Sequence, residues 1–263
     1  EANKYLAIED HQMAFKFFIE ALKHNANCDA CHYQLSALYD YQRRTELALE
    51  SAKKDIELDN TNEWYHLQYS YLLQRNGRLE EAVKAFSALI KVSEKPEYYF
   101  PLAECHLALN QPKEAIAAFE KAESILGTSD ELLMQKHALF LEIGANEEAI
   151  AEVQKLVDAH PGDIGYLGIL AEAYEQIGEP KKALEAYEKI LEIDPQNGLV
   201  RLSLADYFKY HGDSERSKKE LRMAISSEDV PIDAKMQVLL SYFAQSEGNL
   251  KKKEEAYDLL EIM

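Results

Sequence analysis

The chain has 263 residues and a formal net charge of −18, which argues against binding nucleic-acid phosphates, since that relies on clustered Lys and Arg, and against docking on anionic membranes. Hydrophobic residues at 47% and charged residues at 29% are the balance of a folded chain, and no apolar run reaches the roughly 18 residues of a spanning helix. Three cysteines, an odd number, cannot complete a disulfide framework.

One period organises the chain. Small residues stand at Ala14, Ala48, Ala82, Ala115, Ala149, Ala183 and Ser217, spaced by 34, 34, 33, 34, 34 and 34. Tyr5, Tyr39, Leu73, His106, Phe140, Tyr174 and Phe208 keep the same intervals, as do Phe18, Ala52, Phe86, Phe119, Val153, Tyr187 and Leu221. Gly77, Asn110, Gly144, Gly178 and Gly212 punctuate the interval between the first two sets. Three residue classes in one register mark a repeat architecture.

Taken in order, residues 1–28 hold the tail of a first helix and a whole second helix. The chain opens at Glu1 without Met and without a basic-then-apolar leader, as a processed or trimmed chain would. Full repeats of two helices follow at 29–62, 63–95, 96–129, 130–163, 164–197 and 198–231. Asn60 with Glu63, and Thr128 with Glu131, have the spacing of capping boxes at the start of first helices. Pro101 falls inside a first helix, which it should bend or delay. Pro112 and Pro180 fall in the first turn of second helices, where a missing N–H costs least.

In 164–197, Leu167, Leu170, Ala171 and Tyr174 form one helical stripe, Gly178 interrupts, and Ala183, Ala186, Tyr187, Ile190 and Leu191 form the next before Asp194-Pro195. A short insertion around Ser227–Asp233 leads into an atypical last repeat, 232–263, in which Lys253 stands near the expected small slot. No segment alternates with period two, so no strand is expected. The chain stops at Met263 without a polar capping helix, which suggests a fragment of a longer repeat protein or ends covered in a homo-oligomer.

The string Leu170-Ala171…Tyr174…Gly178…Ala183…Tyr187…Ile190…Pro195 resembles the tetratricopeptide repeat family, and the likeness extends over essentially the whole chain. The resemblance implies an all-α solenoid, a right-handed superhelix of helix–turn–helix units forming a single repeat domain over 1–263. It also implies a concave face built by the first helices. Projecting the register puts Tyr33, Ala37 and Tyr41 on that face, then Trp64, Leu67, Tyr71 and Arg75, then Glu97, Phe100 and Glu104, then Met134 and Ala138. Gly165, Gly168, Glu172 and Glu175 follow, and Leu202, Asp206, Tyr210 and Tyr242 come last. The N-terminal half of the face is aromatic and the middle acidic. Tyr65, Tyr69, Tyr98 and Tyr99 are candidates for packing between helices instead, and the paired glycines read as a frayed helix start. Relatives that clamp a peptide carboxylate use Lys, Asn and Arg at positions that here hold Tyr33, Ala37, Leu67, Tyr71, Phe100 and Glu104. That clamp is not encoded.

His24-Asn25-Ala26-Asn27-Cys28-Asp29-Ala30-Cys31-His32 is the one segment with possible chemistry. Cys28 to His32 match the haem-attachment string, the two His and two Cys could ligate zinc, and the cysteines could form a redox pair. The preferred reading is an ordinary inter-repeat turn, with no cofactor and no metal. Cys105 reads as a small buried hydrophobe. No phosphate loop, nucleophile elbow or H-E-x-x-H spacing is present. The expected function is therefore a non-catalytic scaffold for a protein or peptide, with a structural or self-assembly module of a longer repeat protein as the alternative. Nucleic acid and direct membrane insertion are not expected. Fold-level analogy alone points to a bacterial protein, of the cell envelope rather than the cytoplasm.

Overall fold

Among the described residues, seven positions in the same 34- or 33-residue register adopt the left-handed conformation: Glu9, Arg43, Gly77, Asn110, Gly144, Gly178 and Gly212, with φ between 56° and 79°. Each ends a first helix and turns the chain into a second. The bond from Glu179 N–H to the Tyr174 carbonyl, 2.9 Å, closes the turn at Gly178, and Arg44 N–H to Tyr39 carbonyl, also 2.9 Å, closes its counterpart at Arg43. These bonds satisfy carbonyls that a helix end otherwise leaves open.

The structure, a computed structural model, describes the backbone of residues 1–245 and 250–263, and these residues form helices and no strand. The chain divides into two compact units, Glu1–Ile143 and Gly144–Met263. The first holds α1 (Ala2–Ala7), α2 (His11–His24), α3 (Asp29–Tyr41), α4 (Thr45–Leu58), α5 (Glu63–Arg75), α6 (Leu79–Val92), a 3-10 turn (Pro96–Tyr98), α7 (Tyr99–Ala108), α8 (Pro112–Leu126) and α9 (Asp130–Glu142). The second holds α10 (Asn146–Ala159), α11 (Ile164–Gln176), α12 (Pro180–Ile193), α13 (Gly198–Tyr210), α14 (Ser214–Ser226), α15 (Ile232–Gln245) and α16 (Leu250–Glu261). Within each unit, successive helices pack as antiparallel pairs and stack on their neighbours, the arrangement of an all-α solenoid. No helix among the described residues is long and apolar enough to cross a membrane.

The small slots explain the pairing. Ala14, Ala48, Ala82, Ala115 and Ala183 are fully buried, so the two helices of a pair meet with almost nothing between them. Where serine enters this contact, its hydroxyl bonds the facing backbone: Ser36 Oγ donates to the Ala48 carbonyl at 2.9 Å, and Ser217 Oγ to the Ala205 carbonyl at 2.8 Å. Large side chains then fill the space between pairs. In the second unit Val153, Leu167, Tyr187, Ile190 and Leu204 form one such cluster.

Two expected capping boxes are displaced. The α5 cap is Asn62, whose side chain accepts from Trp64 N–H at 3.1 Å, and the α9 cap is Ser129, which accepts from Leu132 N–H at 3.3 Å. Asn60 is occupied in the preceding turn, its carbonyl accepting from His66 Nε2 at 3.0 Å. Pro101 delays its helix, as expected: residues 96–98 form the 3-10 turn and α7 begins at Tyr99, so Pro101 sits in a first turn that does not need its N–H. In the last repeat Lys253 is exposed and the fully buried small residue is Ala256. The insertion before that repeat packs back onto the start of α13. Asp229 Oδ2 accepts from Gly198 N–H at 2.9 Å, Ser227 Oγ donates to the Gln196 carbonyl at 3.1 Å, and Val230 is buried.

Several buried polar residues break the apolar register. Lys136 takes the slot of Leu170 and, though buried, reaches Glu123 Oε2 at 2.6 Å. Arg201 takes the slot of Leu167 and bonds Glu220 at 2.5 Å and the Pro195 carbonyl at 2.7 Å. Asp55 takes the slot of Leu89 and Ile190, is fully buried, and neither carboxylate oxygen has a hydrogen-bond partner. Burial pushes its pKa up to about 8, and the charge of Asp29 adds to the rise.

These features generate three stability predictions. Arg43→Gly should raise stability by about 1 kcal/mol, because glycine adopts the left-handed conformation without the clash that a Cβ brings; thermal denaturation measures it. Gly198→Ala should cost roughly 1–3 kcal/mol, since a Cβ there would lie 2.5 Å from Ser227 Cβ and 2.6 Å from Val230 Cγ2. The folded-state pKa of Asp55 lies above its unfolded value, so the folded chain binds the extra proton. Stability should therefore fall as pH rises from about 4 to about 8, by at most about 1.4 kcal/mol per unit. Asp55→Leu should remove that component of the slope and raise stability at pH 8, as read from urea midpoints across pH.

Candidate functional site

Adjacent residues on a helix diverge by about 100°, so one position decides whether an aromatic is core or surface. In α5, Tyr65 is 7% exposed, whereas Trp64 is 56% exposed. Tyr65 packs against Tyr33 with ring centroids 5.3 Å apart and donates to Asp29 Oδ2 at 3.0 Å. Tyr98 repeats the arrangement one unit on, donating to Glu63 Oε2 at 3.3 Å. Tyr65, Tyr98 and Tyr99 are buried, and Tyr69 is half-buried.

The first helices of the Glu1–Ile143 unit present the aromatic residues that the repeat register points to. Tyr41 on α3 is 71% exposed, with its ring 4.7 Å from that of His11. Tyr33 on α3 and Leu67 on α5 are half-buried. Lys95 Nζ lies 5.9 Å from the centre of the Trp64 ring and pairs with Glu63 at 2.8 Å. Tyr71 on α5 sets one edge against Phe86 at 5.3 Å. Burial, with the Glu104 carboxylate as a second cause, raises its phenol above the usual value. Arg75 is exposed and holds Asp40 at 2.8 Å, linking α5 to α3.

Between α7 and α9 the surface opens into a cavity of about 560 Å³. Phe100 and Glu104 on α7 and Ala138 on α9 line it, together with Leu107, Phe119, Ser129, Glu131, Leu132, Gln135 and Leu139. Met134 is half-buried and does not line it. The walls are mostly apolar, and the lining residues Glu104 and Glu131 are exposed. Gln74 Nε2 donates to Glu104 Oε2 at 3.1 Å, which ties the cavity to the α5 surface. Sequence reasoning missed Phe119, Leu132 and Leu139, because a second-helix residue and two buried first-helix residues lie outside any inward-face projection.

In the Gly144–Met263 unit the face is acidic and less aromatic. Glu172 on α11 and Asp206 on α13 are exposed, and both charges, after burial, help raise the pKa of Glu175. Tyr210 is 89% exposed with its ring against His211. Leu202 and Tyr242 pack against a core cluster around Leu221 and Ile225. Gly165 is held in the first turn of α11 by Asp163, and a Cβ at Gly168 would meet open space.

The cysteine segment is not the ordinary turn that sequence reasoning preferred. Cys28 and Cys31 are joined by a disulfide. His32 is held by its Nε2, 3.1 Å from the Ala26 carbonyl, as His66 in the same slot is held by Asn60. Bonded sulfurs and an engaged imidazole do not fit the zinc or haem readings. Among the described residues no group of three or more His, Cys, Asp or Glu is placed to hold a metal ion. Cys105 is buried and free, and burial pushes its thiol up to about 11.

Comparison with known proteins agrees with this architecture. The tetratricopeptide repeat family model matches residues 35–230. Human aspartyl/asparaginyl beta-hydroxylase is 25% identical over 173 residues, covering 61% of this chain and 23% of the enzyme. The TPR repeat-containing protein MJ1428 of Methanocaldococcus jannaschii is 25% identical over 208 residues, 75% of this chain and 36% of that protein. The chain thus spans well under half the length of either relative. A solved structure, the C-terminal part of a TPR repeat-containing protein from Cytophaga hutchinsonii, superposes with a TM-score of 0.55 at 14% identity, covering 89% of this chain and 96% of that one. With a family match over most of its length and helix pairs stacked in the matching register, the chain belongs to the tetratricopeptide repeat family.

Proposed function

We propose that this chain is a non-catalytic scaffold that binds a protein or peptide segment along the first helices of its Glu1–Ile143 unit. The cavity between α7 and α9 carries the reading. A volume of about 560 Å³ with mostly apolar walls has room for more than one apolar side chain of a partner, the kind of anchor that dominates interface energetics. Tyr41, Trp64 and Tyr71 offer exposed aromatic rings on α3 and α5 of the same unit, and such rings give contact area together with a hydrogen-bonding edge. Glu104 and Glu131 in the cavity lining favour a basic residue beside the partner's anchor, and the net charge of −18 would speed the approach of such a partner. The acidic group of Glu172, Glu175 and Asp206 in the other unit, near exposed Tyr210, extends the same preference.

Co-purification from the source organism, with the chain as bait, tests this. Ala138→Trp should obstruct the cavity, and Trp64→Ala with Tyr71→Ala should strip the aromatic surface. Each should weaken partner retention by at least about 30-fold, the equivalent of about 2 kcal/mol for a central anchor, while circular dichroism and light scattering stay unchanged. Full retention by both folded variants would sink the reading. A change in oligomeric state without loss of partners would point to self-assembly instead.

A further inference from the structure

Cys28 is the N-cap residue of α3 and Cys31 the third residue of that helix, and their Cα atoms lie 5.2 Å apart. The backbone holds this turn without help from sulfur, since Cys31 N–H and His32 N–H both donate to the Cys28 carbonyl at 3.1 Å. A bridge closing so small a loop removes little chain entropy, and it joins no two separate elements. It is therefore a poor staple. Packing does not explain the residue choice either: the slot of Cys31 is filled by Tyr65, Tyr98, Leu132, Tyr166 and Val200 in the repeats that follow.

The two sulfurs are also unequal. Cys28 is half-buried beside the exposed residues 24–27, whereas Cys31 is 7% exposed and packs with Ala14, Phe18 and Leu35. Cys28 caps and Cys31 lies in the first turn of a 13-residue helix, whose N-terminal dipole favours a thiolate. Asp29 between them works against this, although its carboxylate accepts a hydrogen bond from the Tyr65 hydroxyl at 3.0 Å.

We propose that Cys28–Cys31 is a thiol–disulfide exchange site that opens and closes while the chain stays folded, its partner being a thiol reductant. The reductant's thiolate attacks Cys28 Sγ, a new sulfur–sulfur bond forms, the Cys28–Cys31 bond breaks, and Cys31 leaves as a thiolate. A second reductant thiolate then attacks the reductant sulfur of the mixed disulfide and expels Cys28 as a thiolate. The bridge gains two electrons and, on protonation, two protons, and the two reductant thiols become one disulfide. Cys31 acts as the resolving group: from its thiolate it can re-form the bridge and release the reductant.

Glutathione is a sufficient probe on the full chain. In buffers of graded reduced-to-oxidised ratio, the wild-type bridge should open and close with the ratio while circular dichroism shows native helix content. Alkylation and peptide mapping report the bridge, with buried Cys105 as the slow internal reference. In Cys31→Ser, oxidised glutathione should form an adduct at Cys28 at least about tenfold faster than it does at Cys31 in Cys28→Ser. A bridge that stays closed in reduced glutathione until the chain unfolds would overturn the proposal. So would equal labelling rates in the two folded variants. The wild-type titration decides the matter even if a variant fails to fold.

Discussion

Two helices approach only as closely as the side chains between them allow, and here the separator is a single methyl group repeated through the chain. The fully buried alanines from Ala14 to Ala183 set that distance. Once it is set, the remaining geometry follows: the left-handed residue must reverse the chain within a few residues, and the larger side chains are pushed out of the pair to fill the gap toward the next one. Ser36 and Ser217 show how tight the contact is, because each hydroxyl reaches the backbone of the facing helix. A protein built this way gains its stability mainly from interfaces between neighbours, repeated down the chain.

That regularity made the fold legible. Glycine at Gly77, Gly144, Gly178 and Gly212 announced the turns, but Glu9 and Arg43 adopt the same conformation with no such signal. Only the register, carried back from the glycine-bearing repeats, could have found them. The capping residues were misplaced by one or two positions because Thr128 and Asn60 have the right chemistry and neighbouring Ser129 and Asn62 have it too. Asp55 could have been read as an anomaly, since Leu89 and Ile190 hold its slot in other repeats, but its lack of partners is a property of three-dimensional surroundings.

The candidate binding surface was only partly legible. Trp64 and Tyr65 differ in exposure as their places on the helix require, because that distinction depends only on the angle between successive residues. The cavity beside Phe100 depends on something different, the space between α7 and α9 and how far Phe119 and Leu139 fill it. No periodicity encodes a volume. The disulfide is a similar case: the spacing of Cys28 and Cys31 permitted several chemistries, and the first turn of α3 brought the two sulfurs together.

The buried ammonium of Lys136 gives the stack an address. Its carboxylate, Glu123, sits on the preceding second helix, and the residue in the same register one repeat earlier is Ile90. Deleting the 96–129 unit, or copying the one before it into that position, would exchange that carboxylate for a hydrocarbon side chain and take one partner from a buried ammonium, which is destabilising. The units share one geometry yet are not interchangeable parts, and recombination within such an array would be constrained at this junction in a way its alanine spacing alone would not impose.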